Sequence, residues 1–188
     1  VIREPHALGD LLEVAQNFRD CIIVGQVRTP GTEEISYGGI QIKGNPPRRV
    51  IRPFTPREPQ VVDTFNGNCV LIPRHVNDCI GGIDGAFAHR AADSDYGLRA
   101  HRLGFESVTC PGFVGTCERG PNPLASNRLT LRESLKILRS PKGAPWSSEA
   151  RYYRRHWPRT WLPYLVVLRG PMLLRMMVGG YFSTDCRR

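Results

Sequence analysis

Residues 62–104 read VDTFNGNCVLIPRHVNDCIGGIDGAFAHRAADSDYGLRAHRLG, and their rhythm decides the fold class. Gln60 to Phe65 has the apolar character of a strand. Asn66-Gly67-Asn68 is a turn of small polar residues. Cys69 to Pro73 is a short apolar run ended by its proline, the pattern of a buried strand. Arg74 to Cys79 suits a short helix, closed by Gly81-Gly82. Asp93 and Ser94 are good N-cap residues. They predict a helix over Asp95 to Leu103, with Tyr96, Ala100 and Leu103 on one face and Gly104 as its stop.

Outward from that stretch the alternation continues. Glu106 to Cys110 reads as a strand, ended by Pro111-Gly112. Upstream, Ala7 to Phe18 places Leu8, Leu11, Leu12, Ala15 and Phe18 at helical spacing. Cys21 to Gly25 is a buried strand and Thr29-Pro30-Gly31 a turn. Gly44 to Pro59, rich in Pro and Arg, reads as a loop. Downstream, Leu129 to Leu138 is a helix, broken at Ser140 to Gly143, and Ser148 to His156 is a second. Trp161 to Phe182 is apolar but interrupted by Pro163, Arg169, Gly170, Pro171 and Arg175. Alternating strands and helices imply an α/β protein: a mixed sheet flanked by helices over residues 1–138, then a basic helical tail over 139–188.

Charge divides the chain the same way. The net charge is +9, and residues 139–188 hold ten Lys or Arg against two Asp or Glu. The front is therefore near neutral and the tail basic, which points to an anionic partner: a phosphate, a membrane surface or a nucleic acid. Arg151 to Trp157 is a basic aromatic cluster that reads as a solvated helix face or as attachment to an anionic membrane, with Trp161, Leu162 and Tyr164 at the interface. No apolar run is long enough for a conventional membrane span, and no signal peptide is expected. The six cysteines lack metal-knuckle spacing and read as reduced thiols.

Asp93-Ser94-Asp95 at a helix start carries the sharpest chemistry. The residues leave three roles open: capping, cation coordination, or proton acceptance from a hydroxyl. The turn Asn66 to Asn68 can present backbone groups to a hydroxylated ligand, or be an ordinary hairpin turn. Gly81 to Phe87 forms a tight bend that Asp84 can brace.

In order and spacing, these segments resemble the C-terminal half of family 2 glycosyltransferases of the GT-A fold. The shared pattern is a small-residue turn, an apolar strand, a Gly-Gly-x-Asp bend, and an acidic-Asp-x-Asp helix start ending Leu-x-x-Arg. It reads here Ala92-Asp93-Ser94-Asp95-Tyr96-Gly97-Leu98-Arg99, with Ala92 where the family usually has Glu. The likeness covers roughly Cys21 to Cys117. It implies inverting transfer of a hexosyl or deoxyhexosyl group from a nucleotide-sugar donor to a saccharide or lipid-linked acceptor of the cell envelope. It makes Asp93 the catalytic base. Asp95, Asn66, Gly67, Asn68 and Asp84 become acceptor or sugar contacts, and Arg139 and Lys142 candidate diphosphate contacts. A metal role for Asp-x-Asp is disfavoured because no apolar strand delivers it. The likeness further implies a divalent metal, Mg or Mn, whose ligands lie in a nucleotide-binding half preceding Ala7 to Phe18. This polypeptide alone is then expected to be a poor catalyst. The implied location is cytoplasmic, with peripheral contact to the inner membrane face as a further expectation; self-association stays open. The alternatives are a non-catalytic transferase-like partner, or a nucleic-acid-binding module using the tail. For the latter no recognised signature is present, so no nucleic acid is expected.

Overall fold

In a computed structural model of the chain, the structure describes residues 5–51, 58–87, 91–120, 136, 140, 145–167 and 170. The predicted helix Leu129 to Leu138 and the candidates Arg139 and Lys142 fall outside them, apart from Lys136. The protein forms two compact units, one of residues 1–84 with 93–119, the other of residues 85–92 with 120–188.

The first unit is built around strand β1 (Ile22–Arg28), buried along nearly its whole length. A continuous apolar run is what a strand covered on both faces requires. Alternate residues divide between two cores. Ile23 and Val27 join Ala7, Leu11, Val108, Cys110 and Val114. Ile22 and Val24 join Val62, Phe65, Val76, Tyr96 and Ala100. Helix α1 (Ala7–Asn17) covers the first face. It packs through Ala7, Leu11, Val14, Ala15 and Phe18, whereas Leu8 and Leu12 of the predicted face are exposed. A helix lying on a sheet buries one stripe; the 7, 11, 14, 18 stripe takes that place and rotates Leu8 and Leu12 outward.

Around β1 the sheet is mixed. Strand β8 (Ser107–Thr116) runs parallel to it, from Ile22 opposite Ser107 to Arg28 opposite Thr116. On the other side β1 pairs antiparallel with two strands in succession. Its first half meets β7 (Val70–Leu71) and its second half β2 (Ile35–Tyr37). Strand β5 (Val61–Val62) pairs antiparallel with β8. A second, three-stranded sheet has the order β4 (Arg48–Ile51), β3 (Gly39–Lys43), β6 (Thr64–Phe65). The fold is therefore α/β with a mixed sheet flanked by helices, as its alternation implies.

Three local expectations are corrected. The predicted strand Gln60 to Phe65 is split between the two sheets at Asp63. There Asp63 Oδ2 accepts the Ile42 N–H at 2.7 Å, and its own N–H donates to the Ile40 carbonyl at 3.0 Å. Strand β8 does not stop at Pro111-Gly112. Its register against β1 shifts on both sides of Gln26, and the buried Gln26 Nε2 donates to the Cys110 carbonyl at 3.0 Å. The irregularity absorbs the extra residues and leaves that carbonyl satisfied. Within the predicted loop Gly44 to Pro59, residues Arg48–Ile51 form β4 instead, held by four register pairs with β3.

The opposite face is covered by α2 (Arg74–Ile80), which buries Val76, and by α3 (Ala92–Arg102), which buries Tyr96 and Ala100. Helix α3 begins earlier than predicted, so Asp93 sits in its first turn and not at the cap. Its end is a Schellman motif: Phe105 N–H bonds the Ala100 carbonyl and Gly104 N–H the His101 carbonyl. Leu103, expected on the buried face, lies at that end and is exposed.

Gly97 sets how closely α3 approaches the sheet. A Cβ there would lie 2.3 Å from Thr64 Oγ1 and 3.0 Å from Thr64 Cα, and backbone cannot rotate away. Gly97→Ala is expected to cost about 2–3 kcal/mol in denaturant unfolding, the scale of overpacking a tight core. A loss below about half a kilocalorie would mean the helix can slide and the contact is loose.

In the second unit, α4 (Trp146–His156) extends the helix predicted at Ser148 to His156. It buries Ser148, Glu149, Tyr152, Tyr153 and His156, a stripe at helical spacing, and exposes Arg151 and Arg154. The basic aromatic cluster is thus divided: its tyrosines face inward and those two arginines outward. Tyr152, Tyr153, His156 and Trp157 meet ring to ring at 5.1–5.9 Å between centroids. The Arg155 guanidinium lies 5.7 Å over the Phe87 ring. Residues 161–167 are helical, and among the described residues no helix is long and apolar enough to cross a membrane.

Candidate functional site

The turn between β6 and β7 faces the first turn of α3, and several hydrogen bonds fix the two together. Asn66 N–H donates to the Gly38 carbonyl at 2.9 Å, which anchors the turn where β2 gives way to β3. Thr64 Oγ1 donates to the Ser94 carbonyl at 2.9 Å, which anchors the helix start to β6. Between these ties the Gly67 N–H donates to Asp93 Oδ2 at 3.0 Å. The other carboxylate oxygen, Asp93 Oδ1, accepts the Ser94 N–H at 2.8 Å. A Cβ on Gly67 would stand 3.3 Å from Asp93 Cβ, so glycine suits that approach.

Asp93 is thus a half-buried carboxylate in the first turn of a helix, each oxygen holding one amide hydrogen. Each oxygen keeps lone-pair capacity for another donor, such as a hydroxyl. One residue from Gly67, the side-chain oxygen of Asn66 is buried and has no hydrogen-bond partner among the described residues. Buried polar atoms are rarely left so. Gly67 and Asn68 are exposed in the turn. Of the residues singled out from sequence, Asn66, Gly67 and Asp93 are therefore brought together.

Asp95 is placed differently. It is fully buried, and its Oδ2 accepts from Arg99 Nε at 3.0 Å. Arg99 then donates through Nη1 to the Ile80 carbonyl at 2.8 Å and through Nη2 to the Gly82 carbonyl at 2.9 Å. Its guanidinium also lies 5.2 Å over the Tyr96 ring. Direct contact between Asp95 and an acceptor hydroxyl does not fit this burial. What Asp95 does is orient Arg99, which clamps the bend at Gly81-Gly82 to α3. Asp84, half-buried, stands at the end of that bend. The Asp95–Arg99 spacing of four residues on a helix was the available signal for this pair. A further brace comes from Tyr96, whose hydroxyl donates to Asn77 Oδ1 on α2 at 3.0 Å. Burial raises the Tyr96 pKa, which keeps it a neutral donor.

The donor set of Asp93 and Asp95 does not fit a metal site. One carboxylate is committed to a buried ion pair, and the other accepts amide hydrogens. Among the described residues no group of three or more His, Cys, Asp or Glu is gathered to hold an ion. Nor does the core offer a thiol nucleophile in Cys21, Cys69 or Cys110. Burial pushes the Cys110 thiol up to about 12, with Asp10, Cys69 and Glu13 adding to it, and burial likewise raises Cys21 and Cys69. Such thiols stay protonated and inert at neutral pH. The described cysteines are all free, and Cys79 among them is exposed.

An α/β protein with a mixed sheet, and a fixed carboxylate where a polar turn meets a helix start, is the class that fold and site define. Compared with family models, with curated proteins and with solved structures, the chain matches none.

Proposed function

We propose that this chain is the acceptor side of an inverting, nucleotide-sugar-dependent glycosyltransferase of the family 2, GT-A type, with Asp93 as its base. The observation that carries the reading is the fixed Asp93 carboxylate, held by the Gly67 and Ser94 amides across from the Asn66–Asn68 turn. That arrangement suits removal of a proton from an incoming hydroxyl. In the reaction the acceptor O–H proton passes to the Asp93 carboxylate. The acceptor oxygen forms a bond to the anomeric carbon. The anomeric bond to the nucleoside diphosphate breaks on the opposite face, and its electron pair leaves with the diphosphate. The configuration at the anomeric carbon inverts.

In this reading Asn66 supplies an acceptor atom to a sugar or acceptor hydroxyl, which would satisfy its unpartnered oxygen. The backbone of Gly67 and Asn68 lines the same edge. Asp95 and Arg99 are positioning residues that hold the bend against α3, and Asp84 at the end of that bend is an acceptor or sugar contact. Arg139 and Lys142 remain the proposed diphosphate contacts. The acceptor is a hydroxyl of a cell-envelope saccharide or glycolipid. The Mg or Mn ion proposed for the complete enzyme would be held by residues other than Asp93 and Asp95, and supplies charge neutralisation on the leaving diphosphate when bound.

The test is product analysis in the full reading frame, with a panel of nucleotide-sugar donors and envelope saccharide acceptors. Release of nucleoside diphosphate coupled to a glycoside of inverted configuration is expected. A retained configuration, or no transfer and no donor binding across the panel, would sink the reading.

A further inference from the structure

The second unit carries a feature that sugar transfer does not use. The ring contacts of Tyr152 and Tyr153 with Trp157 fix the end of α4. Trp157 N–H bonds the Tyr153 carbonyl, Thr160 N–H the Trp157 carbonyl, and Tyr164 N–H the Thr160 carbonyl. The chain is thereby led without a gap from α4 into the helical residues 161–167. Leu165 points inward and is buried. Leu162, Val166 and Val167 are exposed by 53%, 58% and 53%. Leu162 and Val166, four residues apart, form one outward row, with Val167 beside them. Trp161 and Tyr164 flank it, both half-buried.

Charge decides what such a face would meet. Residues 150–184 hold six Arg and no Asp or Glu. Of these, Arg151 and Arg154 on α4 and Arg159 at the turn are exposed. A partner for this unit must therefore be apolar and anionic together. A nucleic acid backbone offers the charge without the apolar phase. A bilayer surface with anionic headgroups offers both, and half-buried aromatic residues suit its boundary. Among the described residues no helix is long and apolar enough to cross a hydrocarbon core of about 30 Å, and a helical segment with an outward apolar row and exposed arginines beside it suits lying in the plane of the surface.

We propose that residues 159–167 are an in-plane docking element for an anionic lipid surface. Leu162, Val166 and Val167 enter the acyl boundary, and Arg151, Arg154 and Arg159 meet the headgroups. The inference does not depend on the sugar-transfer reading, because vesicle binding is measured without donor or acceptor.

The experiment is co-sedimentation of the whole chain with phosphatidylcholine vesicles, with and without phosphatidylglycerol. Binding is expected only to the anionic vesicles, and to fall at least about tenfold at high salt. Arg154→Gln and Arg159→Gln together should weaken it roughly twenty-five-fold, at about fivefold per charge. Leu162→Ser with Val166→Ser should weaken it at least about tenfold, since several buried carbons leave the acyl boundary. These positions are exposed, so circular dichroism and thermal melting should not change in either variant. No binding to anionic vesicles would overturn the proposal. So would equal binding to neutral and anionic vesicles, or binding that ignores the serine pair. Tighter, salt-sensitive binding to an oligonucleotide, unaffected by the serine pair, would also overturn it and favour a nucleic-acid partner.

Discussion

Asp93→Asn is expected to lower kcat by roughly a hundredfold to ten-thousandfold in the full reading frame, with KM for donor and acceptor little changed. An amide cannot take the acceptor proton, so the loss should appear in the chemical step. The fold should largely survive. One oxygen still accepts an N–H, while the new amide group meets an amide hydrogen and loses the charge-assisted bond, at a cost of about 1–2 kcal/mol. That difference separates the base from a cap. A mere cap would lose stability and activity in step, whereas a base loses activity far in excess of stability. Asp93→Glu keeps the charge but moves it by one methylene. The Gly67 and Ser94 amides hold the present position, so a displacement of about 1 Å should still cost on the order of a hundredfold. Full transfer by Asp93→Asn would rule out Asp93 as the base.

How far these features were legible follows from what each residue needs around it. The buried run of β1 and the helices α1, α2 and α4 carry their signal in local pattern and form close to where the pattern puts them, whereas the strand read over Cys69 to Pro73 shrinks to the half-buried Val70–Leu71. The strands β2, β3 and β4 are not marked by local pattern, because they are short and partly polar. Pairing of Arg48–Ile51 with β3, not local propensity, makes β4 a strand. Pro111-Gly112 looks like a stop, yet parallel pairing with β1 carries β8 past it through a register shift. Tertiary pairing overrides local breakers in both cases. At the site, spacing marked Asp93, Asn66 and Gly67, which the structure joins. It gave Asp95 a similar standing, because two acidic residues at a helix start look alike in sequence. Only the fold shows that they face opposite tasks: Asp93 toward the turn, Asp95 into the core with Arg99. In the tail, the row Glu149, Tyr152, Tyr153, His156 has helical period, so burial of the tyrosines was open to the same reading that suggested an exposed cluster.

The Asp95–Arg99 pair is where a single change should cost the most stability. Arg99→Met is expected to destabilise the protein by about 3–5 kcal/mol, because it removes the guanidinium bonded to a fully buried carboxylate. That is a large share of the roughly 5–15 kcal/mol that holds a domain folded. The Ile80 and Gly82 carbonyls lose their donors at the same time, so the bend at Gly81-Gly82 should loosen. Arg99→Lys should be intermediate, since one ammonium cannot serve the Asp95 carboxylate and both carbonyls with the fork of a guanidinium. The decisive variant is the double one. Asp95→Leu with Arg99→Met removes both charges and should recover most of the loss, because replacing a whole buried pair with apolar groups is often close to neutral. Urea unfolding of the single and double variants reads this coupling directly. If Arg99→Met costs less than about 1 kcal/mol, the pair is a solvated one and the clamp on the bend is not what holds α2 to α3.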